Sequence, residues 1–161
     1  MYDILKDVLK PSLKVVFCGT AASKKSAANK TYYAGPGNKF WKVLNDTGLT
    51  PRVFLPEEYT DLLNYDIGLT DIAKKVYGND DEIKQGDYDI KSFIKKIKEY
   101  QPKIICFNGK NSAKIYFNRK HIEYGIQSEK IVMSKIFIVP STSGAASGFW
   151  DINIWKQLAD F

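Results

Sequence analysis

Three continuous apolar runs punctuate the chain, at residues 13–19 (LKVVFCG), 103–109 (KIICFNG) and 135–140 (KIFIVP). Each is rich in β-branched or aromatic residues and stops at Gly or Pro. Apolar runs of that kind suit strands buried on both faces, as in a parallel sheet. A fourth, shorter candidate is residues 66–70 (DIGLT). Between these runs the apolar positions recur at helical spacing. They predict helices over 38–45, 56–64, 90–100, 111–117 and about 149–158, with Pro102 closing the third just before a strand. Strand and helix therefore alternate. The pattern predicts one domain over residues 1–161, an α/β fold of the three-layer α/β/α sandwich type with a four-stranded, mostly parallel sheet.

In such folds ligands bind beyond the carboxyl ends of the strands. Three segments sit there: Gly19-Thr20-Ala21-Ala22-Ser23, Asn108-Gly109-Lys110 and Pro140-Ser141-Thr142-Ser143-Gly144-Ala145-Ala146. Any one of them reads as an ordinary turn, because Gly, Ser and Asn make turns. Three converging loops rich in small residues favour a shared site. Residues 78–89 (GNDDEIKQGDYD) read as a solvated acidic loop. The stretch 23–37 (SKKSAANKTYYAGPG) mixes lysines, small polar residues and two tyrosines, which suits a loop contacting phosphates and bases. A plain mobile loop is the alternative.

Composition narrows the chemistry. With 161 residues, 44% of them hydrophobic, the chain can bury one sizeable core. No apolar run reaches the roughly 20 residues needed to cross a bilayer, and the start lacks a signal-peptide layout, so a cytoplasmic location is expected. Cys18 and Cys106 lie near the ends of apolar runs and read as inert core thiols. With one histidine besides, His121 in a polar stretch, no metal site or cofactor is expected. Acid–base work then falls to Asp, Glu, Lys or Tyr. The formal net charge of +6 permits a polyanionic partner without requiring one.

Five strings in order along the chain, FCGTAAS, YYAGPGNKFWKVLNDTGLTP, GLTDIAKK, FNGKNSAKIYF and VPSTSGAASGFW, resemble the mismatch-specific uracil-DNA glycosylases, the group that includes the thymine-DNA glycosylases. The likeness runs from about Lys14 to Trp155. It implies a cofactor-free, monofunctional DNA repair enzyme of base excision repair, acting as a monomer on uracil-containing DNA. Such an enzyme flips the nucleotide out of G·U mismatches or single strands and hydrolyses the N-glycosidic bond. One motif departs. Where the family carries Gly-Ile-Asn-Pro-Gly, whose Asn positions the attacking water, this chain has Ala21 at the Asn position.

Some relatives with an altered first motif use an aspartate, and the resemblance makes Asp71 the catalytic candidate, with capping of a helix over 72–77 as its alternative. The same resemblance implies that Tyr33 stacks on the flipped base and that Gly19 and the backbone amides of Thr20 and Ala21 hold the uracil. Asn108 is implied to read a pyrimidine edge, or else to form a turn before Gly109. Ser23, Lys110 and the loop Ser141, Thr142, Ser143, Gly144 and Ala145 are implied DNA contacts, with Ala145 and Ala146 making a small wedge. Loss of the motif Asn leaves two alternatives open: a catalytically silent nucleic-acid-binding or damage-sensing homologue, or a glycosylase for another base such as hypoxanthine.

Overall fold

A computed structural model of the chain describes residues 2–161. Its sheet has five strands, β1 (Val15–Gly19), β2 (Ile67–Asp71), β3 (Ile104–Asn108), β4 (Gly125–Ile131) and β5 (Ser134–Val139), in the order β2-β1-β3-β5-β4. The four strands read from the sequence are parallel to one another. The fifth, β4, pairs antiparallel with β5 at one edge and carries a register shift between Ile126 and Lys130. It escapes the hydropathy pattern because only its two ends are buried; its middle, Gln-Ser-Glu-Lys, is polar.

Alternate residues of each central strand enter opposite cores, as the two-residue period of a pleated strand requires. Val15, Phe17, Ile67, Leu69, Ile104, Cys106, Phe137 and Val139 face one side. There they meet Phe40, Trp41 and Leu44 of α2 (Phe40–Asp46), Trp155 and Leu158 of α5 (Ile152–Ala159), and Leu62 of a 3-10 segment, Pro56–Tyr65. Phe17 is its centre, stacked on Trp155 at 5.4 Å and edge-on to Phe40 at 5.2 Å. Val16, Cys18, Ile105, Phe107, Ile136 and Ile138 face the other side. They pack on Phe93 and Ile97 of α3 (Ile90–Tyr100) and Ala113 of α4 (Lys110–Phe117). Both cysteines are buried free thiols within these cores. Among the described residues no helix is long and apolar enough to cross a membrane.

Three expectations need correction. The stretch after Ser23 begins with a short helix, α1 (Lys24–Asn29), capped by the Ser23 hydroxyl, which accepts from the Ser26 amide at 3.1 Å. The last helix starts at Ile152 with Asp151 as its cap, and residues 144–149 form a separate 3-10 segment. Residues 72–77 form no helix. The amides of Ile72 and Ala73 donate instead to the carbonyls of Gly19 and Thr20, at 3.0 and 2.8 Å, and Tyr77 bridges Ala22. This pairing extends the β1–β2 ladder past the strand ends, so the backbone is drawn out along the first loop rather than coiled. Asp71 therefore has no helix to cap.

The sheet's other edge is covered from the amino-terminal side. Val8 and Leu69 exchange two backbone hydrogen bonds of 2.9 Å in an antiparallel bridge.

Candidate active site

Gly19, Asp71 and Asn108 are the last residues of β1, β2 and β3, and the strand alternation puts all three on the face covered by α2 and α5. Gly19 and Asp71 are direct register partners. A Cβ on Gly19 would stand 2.8 Å from Asp71 Oδ1 and 3.7 Å from the Tyr33 hydroxyl. The carboxylate thus occupies the space that a side chain at position 19 would fill. Glycine is needed here for close approach and not for a left-handed backbone, since Gly19 has no positive φ.

Asp71 is only 7% exposed. Burial lifts its carboxyl from the ordinary 3.8 to about 6; Lys74 and Lys96 pull it down, Asp7 pushes it up, and the neighbouring Gly19 backbone amide also favours the ionised form. A carboxylate poised there is ionised at neutral pH and basic enough to accept a proton from water.

Tyr33 closes the other side. Its ring stacks on Phe40 at 4.0 Å, so one face is committed to the core. Its backbone takes φ of 51° and its carbonyl accepts from Trp41 Nε1 at 3.2 Å, which fixes an otherwise disfavoured conformation. Its hydroxyl is buried with no hydrogen-bond partner among the described residues. Asn108 lies close enough to favour the ionised phenol, but without hydrogen-bonding geometry; burial and then the Asp71 charge outweigh it and hold Tyr33 firmly neutral.

The third loop is locked to the second. Asn108 Nδ2 donates to Thr142 Oγ1 at 2.9 Å, and the Thr142 amide donates to Asn108 Oδ1 at 3.1 Å. The Thr142 carbonyl accepts from the Lys39 amide at 2.9 Å, Lys39 Nζ donates to Ser147 Oγ, and Gly37 packs against Gly144. Thr142 is buried, so its hydroxyl holds loops together. Thr142→Val keeps the shape, removes an acceptor and leaves the Asn108 amide short of one bond. A loss of about 1–3 kcal/mol is expected, read as a lower urea midpoint at unchanged slope.

The remaining expected contacts are dispersed around this core. Thr20 Oγ1 accepts from Asn111 Nδ2 at 3.1 Å, and Asp80 lies beside the same hydroxyl. Ala21 is half-buried. Ser141 and Ser143 use their hydroxyls to accept from the amides of Ser143 and Ala145. Gly144 and Ala145 are exposed, as is Ser23. Lys110 sits with Nζ 4.4 Å from the centre of the Tyr124 ring, toward β4. The sequence reading missed Asn111, Asp80, Lys39 and Lys74, because each acquires its role from a partner distant in the chain. A surface depression of about 360 Å³ lined by Ile4, Lys24, Ala27, Ala28, Lys30 and Tyr77 lies against α1 and includes none of Asp71, Tyr33 and Asn108.

Comparison with known proteins agrees with this architecture. A family model described as the uracil DNA glycosylase superfamily matches residues 6–159. A solution NMR structure of a Methanosarcina acetivorans protein, proposed to be a uracil DNA glycosylase, superposes with a TM-score of 0.69. The match covers 96% of this chain and 92% of that one at 22% identity, a likeness of fold. With the family model spanning nearly the whole chain, and the fold and strand-end site as described, the chain belongs to the uracil-DNA glycosylase superfamily.

Proposed function

We propose that the protein is a DNA glycosylase that flips uracil out of DNA and hydrolyses its N-glycosidic bond, with Asp71 activating the water. The observation that carries this reading is a buried carboxylate, raised to about 6, at the carboxyl end of a parallel strand, where α/β folds bind their ligands. In the step proposed, Asp71 takes a proton from water as the water oxygen bonds to C1′ of the sugar. The C1′–N1 bond breaks and N1 leaves with the electron pair. The carboxylate also stabilises the positive charge that develops on the sugar. The amides of Thr20 and Ala21 spread the charge of the departing uracil anion. Tyr33 offers the base the ring face that Phe40 does not cover. No cofactor takes part.

The test is a panel of oligonucleotides carrying uracil in single strands, in G·U and in A·U, with G·T and hypoxanthine beside them. Uracil release is expected, with single strands cleaved within about tenfold of G·U because Ala145 fills a vacated stack poorly. A large preference for duplex G·U would count against the small-wedge reading. The rate should rise as pH passes through about 6 and then level, since only ionised Asp71 accepts the proton. Ala21, which has no polar group to hold water, favours one other reading, a silent damage-binding homologue. Binding to uracil-containing DNA with no release of any base would establish that reading.

A further inference from the structure

Around Thr70 and Lys74, which flank Asp71 in the chain, lies a cluster of charges that the proposed chemistry does not use. Asp7, from the segment covering the edge of β2, has Oδ1 2.9 Å from Lys74 Nζ and Oδ2 2.5 Å from Lys96 Nζ. Thr70 Oγ1 donates to Asp7 Oδ1 at 2.6 Å, and Lys96 Nζ reaches Thr70 Oγ1 at 3.4 Å. Lys74 Nζ also donates to the Tyr32 hydroxyl at 3.2 Å, and that hydroxyl donates to the Lys6 carbonyl. The two lysine side chains are 10% and 19% exposed and that of Asp7 20%, so these are sheltered ions and not a surface ion pair.

One carboxylate faces two ammonium groups, which leaves one positive charge in excess, and unbalanced charge is costly away from water. Asp71 lies one residue beyond Thr70 and three before Lys74. Counted with it, two carboxylates balance two ammoniums. An ion pair that only fastened the amino-terminal segment to β2 would need a single lysine.

On the reading of Asp71 as the water-activating group, we infer that Lys74 and Lys96 are positioning residues that favour ionised Asp71, while Asp7, paired with both, opposes them as a like charge. The other groups near Asp71 are the Gly19 amide and the phenols of Tyr32 and Tyr33, with Asn108 beyond Tyr33 and the Cys18 thiol on the opposite face of the sheet; all are uncharged at neutral pH. The lysines are therefore the cations that act on the Asp71 carboxylate, and Asp7 is the opposing anion.

The inference is tested by following the Asp71 carboxyl carbon in aspartate-labelled protein by NMR across pH, assigned by its loss in Asp71→Asn, alongside single-turnover excision from a single-stranded uracil oligonucleotide. Lys74→Met should move the Asp71 midpoint upward by about half a pH unit or more, Asp7→Asn should move it downward, and Lys74→Arg should restore the parent value. The acid limb of the rate profile should follow each shift. Lys96→Met, expected to shift upward too, serves if Lys74→Met does not fold. A midpoint that stays put, or moves the same way in the Lys74→Met and Asp7→Asn proteins, overturns the inference. The NMR midpoint is read without catalysis, so shifts of the expected signs in a protein that releases no uracil would uphold the electrostatic role of the cluster and reject only the enzymatic reading.

Discussion

Asp71→Asn is expected to lose uracil excision by about 10²- to 10⁴-fold and, at pH 8, to melt several degrees above the parent protein. Both effects have one cause. The folded protein holds the Asp71 carboxyl at about 6 against an ordinary 3.8, so folding disfavours its ionised form. Below about pH 4 the group is protonated folded or unfolded and costs nothing. The cost grows between pH 4 and 6 and is complete above 6, where the gap corresponds to about 3 kcal/mol. Asparagine removes that charge and with it the proton acceptor. The gain in melting temperature should accordingly fade as pH is lowered toward 4. Asn will not recover the whole amount, because it leaves the excess positive charge of the Asp7, Lys74 and Lys96 cluster unbalanced. Scanning calorimetry at pH 8 and pH 4, with single-turnover excision, measures both. An Asp71→Asn protein as active as the parent would remove Asp71 from the mechanism.

Gly19→Ala should lower excision by about 10- to 100-fold, although it adds one methyl group at a position whose backbone tolerates alanine. A methyl 2.8 Å from Asp71 Oδ1 overlaps it, and the paired strands leave the backbone little room to part. The carboxylate must rotate or retreat, and a misplacement of this size costs rate steeply. Forcing an extra carbon into a packed site should also cost about 1–3 kcal/mol of stability. Combined with Asp71→Asn, the alanine should lower excision no further, because the group it displaces has already lost its function. Additive losses in the double variant would mean that Gly19 acts through something other than Asp71.

Much of this architecture was legible in the chain. Buried parallel strands write themselves as unbroken apolar runs, so β1, β3 and β5 stood out, and their carboxyl ends directed attention to Gly19, Asn108 and Pro140. Strand β4 did not stand out, because an edge strand needs little apolar surface and its polar middle reads like a loop. The stretch after Asp71 misled for a different reason. Its local pattern permits a helix, but the carbonyls of Gly19 and Thr20 capture its amides, and that competition depends on residues some fifty positions away. The same limit applies to the site. The resemblance pointed to Asp71 and Tyr33, whereas the lock between Asn108 and Thr142, and the pairing of Asp7 with Lys74, exist only once the chain is folded.

Both margins of the sheet are defended against pairing with another chain, by unlike means. On β4 the register shift and the polar run Gln-Ser-Glu-Lys spoil the flat, apolar template that edge-to-edge association requires. On β2, all five residues of which are buried, no such residues are available, and the covering bridge from Val8 does the work instead. The margin that ends in Asp71 is also the more apolar one, so the segment that shields it from self-association stands beside the group on which the proposed chemistry depends.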